Sequence, residues 1–226
     1  MTPEQNSDKT LLETPVPVPV AAYRGASRIY DAVLEPPLRR LKRAVRDLAG
    51  AGPGMRVLDA CCGTGVQARL FAGTGAWVAG ADLSPHMLNR ARRARPAAVT
   101  FVLCPSDRLP FPGGAFDMAF MSLAMHETPE ALRLEFAAEL RRVVRPGGRV
   151  MILDYAAPQS ANATALLHRN MYHFVERLAG GAHYRNYRHW MRHGALAGFA
   201  ERSGLGGCVT GFYGGAMGLL TASVPG

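Results

Sequence analysis

The sequence predicts an α/β domain: a mostly parallel, doubly wound sheet of seven strands, closed by an antiparallel hairpin strand at its carboxyl end. Three observations predict it. Short apolar runs alternate with helical stretches from Met55 to Asp154. A glycine turn, Gly63-x-Gly65-x-x-Ala68, follows the first apolar run and opens a helix. Near the end, two further apolar runs meet at Gly214-Gly215. Alternating strands and helices need parallel pairing through right-handed crossovers, whereas two strands joined by a tight turn pair antiparallel.

The 226 residues suit one domain with embellishments. At 48% hydrophobic and 19% charged, the chain has an ordinary globular balance. No run of about 18 apolar residues occurs. "MTPEQNSDKT" carries acids and lacks a basic-then-apolar leader pattern, so the expected location is cytoplasmic, with peripheral membrane contact left open. The four cysteines form no C-x-x-C, so neither a zinc site nor a disulfide framework is expected. A net charge of +9 admits an anionic partner such as a membrane surface, nucleic acid or an acidic substrate, without choosing among them.

Residues 1–22 read as a flexible tail, because "TPVPVPV" favours extended polyproline geometry. Residues 23–226 read as the single domain. A helix is expected over Glu35–Ala49, with Leu38, Leu41, Val45 and Leu48 as its apolar stripe and five basic residues on the other face. That face is either solvated or a membrane or phosphate contact. "MRVLDA", "AWVAGAD", "AVTFVLC", "AFDMAFMSLA" and "RVMILDY" are the five parallel strands. Between them, Ser84 and Pro85 start one helix, and Thr128 and Pro129 start another with a core stripe of Leu132, Phe136, Leu140 and Val143. "PGG" is expected to stop that helix. Residues 156–190 read as an inserted helical lid, with a helix over about 160–178 and "GGAHYRNYRHW" as a polar, aromatic loop. A helix over about 194–203 and the closing hairpin complete the chain.

The glycine turn fits a loose dinucleotide fingerprint, but Asp59 stands four positions before Gly63. A carboxylate there repels a pyrophosphate and attracts a sulfonium or ammonium. Gly63 and Gly65 let a ligand approach the backbone, and their N–H groups could meet a carboxylate. Asp82 ends the second strand, where open α/β sheets place acids that accept from ribose hydroxyls. A ribose, an amino acid and a sulfonium together describe S-adenosylmethionine.

Four segments in order carry a family resemblance: "VLDACCGTG", "GADLSPHML", "LPFPGGAFDMAFMSLAMHE" and "LRRVVRPGGRVMILD". The chain resembles a class I S-adenosylmethionine-dependent methyltransferase with a Rossmann-like fold, most similar to the methyltransferase type 11, ubiquinone/menaquinone-biosynthesis branch. The resemblance covers about 55–155. It implies that Asp59, Gly63 and Gly65 hold the methionine part, that Asp82 holds the ribose and that Leu83 flanks the adenine; Thr64 and Met87 are further expected cofactor-binding residues. Tyr30 is implied to close over the cofactor from the amino-terminal side. One departure matters: where the family has an Asp four residues before the Leu of "LPF", this chain has Pro105. Ser106, or else Asp107, is the expected substitute at the adenine.

The implied reaction moves a methyl group to a small, lipophilic or aromatic acceptor resembling a quinone precursor. The alternatives are a phospholipid or other small N/O acceptor, RNA or protein, or a non-catalytic S-adenosylmethionine-binding protein. "SLAMHE" replaces the N/D-P-P-Y/F pattern of enzymes that methylate exocyclic amines, which disfavours nucleic acid. His126, just past the fourth strand, is the candidate base and acceptor-pocket residue. Tyr172 and Tyr184 are the candidate pocket aromatics of the lid. No metal is expected.

Overall fold

The structure is a computed structural model that describes residues 38–94, 98–157, 163–178 and 180–226. The expected amino-terminal tail, the first residues of the first helix and Tyr30 lie outside these.

The helix α1 spans 38–49. Leu41 and Val45 are buried as the spacing predicts, but Leu48 is 54% exposed and Ala49 takes the core position. Then follow β1 (Arg56–Ala60), α2 (Val66–Ala72), β2 (Trp77–Asp82), α3 (Pro85–Arg93), β3 (Val99–Leu103), β4 (Phe116–Ser122), α4 (Glu130–Val143) and β5 (Val144–Tyr155). After these come α5 (Ala163–Leu178), α6 (Gly181–Arg192), α7 (Ala195–Arg202), β6 (Cys208–Phe212), a 3-10 turn at Tyr213–Gly215, and β7 (Met217–Ser223).

The seven strands lie in the order β3-β2-β1-β4-β5-β7-β6. The first five pair parallel, whereas β7 runs antiparallel to both β5 and β6. The order reverses between β1 and β4, and in such sheets the crevice at the strands' carboxyl ends is the binding site. Asp59, Asp82 and the 122–126 segment all stand at those ends.

Local chemistry explains most boundaries. The Ser84 side chain accepts from Met87 N at 3.3 Å and so caps α3, with Pro85 in the first turn. The other expected cap is corrected: Thr128 Oγ1 donates to Ala124 O at 2.7 Å, and Pro129 takes the cap position of α4. The stripe of α4 is corrected too. Leu132 and Phe136 are only half-buried, while Arg133 and Ala137 are buried beside Leu140 and Val143. An arginine lies on the core side because its guanidinium finds buried acceptors, described below. Nor does "PGG" stop α4. Val144 already pairs with Phe116, and the register shift before Met118 absorbs Pro146, Gly147 and Gly148 within β5.

The expected loop "GGAHYRNYRHW" is helix α6. Its buried positions, Tyr187 and Trp190, stand one turn apart, and Trp190 Nε1 donates to Tyr155 O at 2.9 Å. With no aliphatic residues after Ala182, the helical period was carried entirely by aromatics.

Phe101 of β3 sets the shape of the glycine turn. A Cβ at Gly65 would meet its ring at 2.7 Å, and one at Gly80 would meet it at 2.8 Å. Gly63, by contrast, has no atom within 4 Å of a built Cβ. Both turn glycines have positive φ, +54° at Gly63 and +72° at Gly65. Gly65→Ala therefore combines backbone strain with overpacking and is expected to cost about 2–4 kcal/mol, against about 1 kcal/mol for Gly63→Ala. Denaturant unfolding of both variants checks the order; equal losses would remove the Phe101 contact as the cause.

Candidate active site

One half of the candidate site is built at the ends of β1 and β2. Asp59 is wholly buried, and neither carboxylate oxygen has a hydrogen-bond partner among the described residues. Burial raises its pKa to about 7, against the opposing pull of the Ala68 N–H dipole and the Lys42 charge. Asp82 is satisfied instead. Its Oδ2 accepts from Gly63 N at 2.7 Å and its Oδ1 from Ser84 N at 2.8 Å. Desolvation still raises its pKa, although the two backbone donors work the other way.

These bonds refine one expectation. The Gly63 N–H is engaged by Asp82 and the Gly65 N–H by Cys62 O at 2.9 Å, so these amides shape the turn and leave the space beside Gly63 open. Cys61, at φ +54°, adds a strained non-glycine residue in the same turn. Its Sγ lies 3.0 Å from Ser106 Oγ. Ser106 is buried against the turn, whereas Asp107 is half-buried, Thr64 and Met87 are half-buried and Leu83 is 40% exposed.

The other half of the candidate site forms around His126. Asp154, at the end of β5, accepts from His126 Nδ1 at 2.7 Å, from Met125 N at 3.0 Å and from His126 N at 3.3 Å. The other ring nitrogen, Nε2, lies 3.6 Å from Glu176 Oε2. Glu176 also accepts from Tyr155 Oη at 2.6 Å and pairs with His183 Nε2. His183 Nδ1 lies 3.3 Å from Glu127 Oε2, and Asn186 Nδ2 donates to Glu127 O at 2.6 Å. Burial works against the charged ring of His126, but Asp154 and Glu176 outweigh it and raise its pKa to about 9. The same balance, with Glu127 and Glu176, raises His183 to about 10. Arg133 locks the frame: Nε donates to Met125 O at 2.7 Å, Nη2 to Asn186 O at 2.9 Å, and its carbon lies 5.0 Å from the Trp190 ring centre.

Tyr172 and Tyr184 join this cluster from different sides. Tyr172 is buried 5.2 Å from the Tyr155 ring, and Tyr184 stacks 6.3 Å from Tyr187, which in turn lies 6.3 Å edge-on to His126. Sequence reasoning did not select Asp154, Glu176 or Arg133. Asp154 carried a usable signal, an acid at the carboxyl end of a parallel strand. Glu176 and Arg133 sit in helices like any solvated charge, so nothing local marks them as buried.

A methyltransferase-domain family matches residues 57–148, the span that contains the turn, Asp82 and the β4 end. This segment is similar to methyltransferase domains. The chain is 36% identical over 148 residues to a demethylmenaquinone methyltransferase of Beutenbergia cavernae, covering 64% of this chain and 60% of that one. It is 38% identical over 144 residues to a malonyl-[acyl-carrier protein] O-methyltransferase of Serratia marcescens, covering 61% and 52%. The chain thus spans less than two thirds of the length of these curated relatives. A crystal structure of a SAM-dependent methyltransferase from Aquifex aeolicus shares the fold, with a TM-score of 0.58 at 21% identity over 81% of this chain and 89% of that one.

The buried Asp59 gives this domain a pH signature. Its folded pKa, about 7, lies above the ordinary value of 3.8, so the folded state holds the proton more tightly. Stability therefore falls as pH rises through that window, by about 4 kcal/mol at most. Asp59→Asn is expected to lose this decline. Urea unfolding of both proteins at about pH 5 and about pH 8 checks it through the difference in pH dependence; equal pH dependence would show that the folded state does not raise the pKa of Asp59.

Proposed function

We propose that the chain transfers a methyl group from S-adenosylmethionine to a small, lipophilic or aromatic acceptor of the quinone-precursor kind. The observation that carries the cofactor half is Asp59: a wholly buried carboxylate with no hydrogen-bond partner among the described residues, on the strand that leads into the glycine turn. A cationic ligand offsets such a desolvated charge, whereas a pyrophosphate would add to it. S-adenosylmethionine, when bound, supplies a methyl group already activated by its sulfonium.

The protein's share is then position and charge. Asp59 attracts the cationic amino-acid end, with Thr64 beside it. Asp82 keeps acceptor capacity on both oxygens for ribose hydroxyls, since each carboxylate oxygen has two lone pairs and one is used. Leu83 and Met87 offer apolar contact to the adenine, and Ser106 with Asp107 stands where Pro105 removes the expected acid. Tyr30 remains part of this reading as the closing residue. On the acceptor side His126 presents Nε2 from a fixed ring, with Tyr172 and Tyr184 in the same aromatic cluster.

Two features favour a lipophilic acceptor. α5 exposes Leu167, Met171, Phe174 and Leu178 at helical spacing along one stripe. Relatives such as that of Beutenbergia cavernae are named for a demethylmenaquinone substrate. The basic face of α1, where Arg40 and Arg43 are exposed, is compatible with a phospholipid surface carrying that acceptor. No described helix is long and apolar enough to cross a membrane.

Calorimetry with S-adenosylmethionine tests the cofactor assignment. Asp82→Asn is expected to lose at least tenfold in affinity, because it weakens both the ribose contact and the tie to Gly63, and Asp107→Ala to lose only a few-fold. The reverse order would move the cofactor away from Asp82. For the acceptor, methyl-labelled S-adenosylmethionine is incubated with the chain and a bacterial cell extract, then divided into lipid, protein, nucleic-acid and polar fractions. Label is expected in the lipid fraction; label confined to another fraction would overturn the acceptor class.

A further inference from the structure

We propose that His126, Glu127 and His183 bind one first-row divalent transition-metal ion, with Asp154 and Glu176 supporting the two imidazoles. The three residues come from two places 57 positions apart, the β4 end and α6, and each offers a ligand atom within 4.8 Å of the others. Between His183 Nδ1 and Glu127 Oε2 the separation is 3.3 Å. Adjacent ligands around a tetrahedral ion lie about 3.4 Å apart, given metal–nitrogen and metal–oxygen bonds of about 2.1 Å. Small rotations of these side chains close the rest of the shell.

The supporting groups make the case stronger than the cluster alone. A ligating histidine ordinarily donates its second ring N–H to a carboxylate, which fixes the tautomer and turns the other nitrogen's lone pair toward the ion. Both histidines have this partner. His126 Nδ1 is 2.7 Å from Asp154 Oδ1, which leaves Nε2 for the metal. His183 Nε2 is paired with Glu176, which leaves Nδ1 on the Glu127 side. The backbone that carries the carboxylate ligand is also held, since Asn186 Nδ2 donates to the Glu127 main-chain carbonyl at 2.6 Å. Tyr155 Oη donates to Glu176 at 2.6 Å and fixes that support in turn.

Charge points the same way. Asp154, Glu127 and Glu176 bring three carboxylates to a site where Arg133 is the guanidinium in electrostatic reach of Asp154. Glu130, which also touches Arg133, has Arg202 as a second partner at 2.8 Å. Metal binding displaces the imidazole protons, so the ion takes over the positive charge that faces the three carboxylates. Two imidazoles with one carboxylate suit zinc, iron(II) or cobalt(II), and not magnesium or calcium, which prefer oxygen shells. Three protein ligands leave a coordination position open. Glu127 is close enough to Asp82 and Cys61 to act on them electrostatically, so the ion would adjoin the cofactor turn. Use of the open position by an acceptor oxygen rests on the methyl-transfer reading; occupancy by the metal does not.

The test uses the full chain, stripped with a chelator and dialysed against Zn2+, followed by elemental analysis and calorimetric titration. One Zn2+ per chain is expected. Glu127→Gln and His183→Gln are each expected to weaken binding at least tenfold, and Glu176→Gln by about tenfold through its supporting role. Circular dichroism verifies that each variant folds, and Glu127→Gln, the half-buried isostere, is the least disruptive of them. Cobalt(II) substitution reads the ligand type. Visible d–d bands without a thiolate charge-transfer band are expected, and a thiolate band would assign the metal to the cysteines and overturn the site. Wild-type protein that retains no Zn2+, or folded variants that retain as much as wild type, would also overturn it. S-adenosylmethionine binding measured on the same metal-free samples separates this result from the cofactor assignment.

Discussion

One carboxylate holds together the His126 side of the crevice. Asp154, wholly buried at the end of β5, accepts from the backbone N–H groups of Met125, His126 and Tyr155 and from the His126 ring. The first two donors belong to the segment leaving β4, so the ends of two neighbouring parallel strands are fixed on a single acceptor. Such a set of donors offsets much of the cost of burying a carboxylate. Once it is held, His126 has one orientation, and Glu176, His183 and Glu127 arrange themselves around it.

The opposite half obeys the same electrostatics with a different outcome. Asp82 is satisfied by Gly63 N and Ser84 N, and thereby fixes the turn between β1 and α2. Asp59 has no such donors among the described residues and stays at an energetic cost. Sites that hold unsatisfied charge in the free protein are where a complementary ligand gains most. The two acids thus contrast, one satisfied by backbone donors and one without a partner among the described residues.

Arg133 links that crevice to the inserted helices. Its fork reaches carbonyls of Met125 and Asn186 and lies against Trp190, so α4, the β4 end and α6 meet on one guanidinium. Arginine suits the position because its planar donors can satisfy several carbonyls at once while the face stays apolar. The aromatic rings of Tyr155, Tyr172, Tyr184 and Tyr187 then pack on the His126 side, and α5 is left with its apolar stripe outward.

The sequence by itself determined the strand–helix order, the sheet's direction, the glycine turn and the acids at Asp59 and Asp82. Each of these is local: a period of apolar residues, a glycine that permits positive φ, or an acid at the end of a strand can be read within a few residues. Only the tertiary structure decided that "GGAHYRNYRHW" is a helix, because aromatic side chains carried its period and the burial of Tyr187 and Trp190 depends on distant partners. It alone decided that Arg133 and Glu176 are buried and that His126, Glu127 and His183 share one cluster. Those facts depend on separations of 21 to 59 residues along the chain, as in Tyr155 with Glu176 and Glu127 with Asn186. Whether a charged residue faces water or a partner is settled by what the fold brings against it, and no spacing rule within a single helix contains that information.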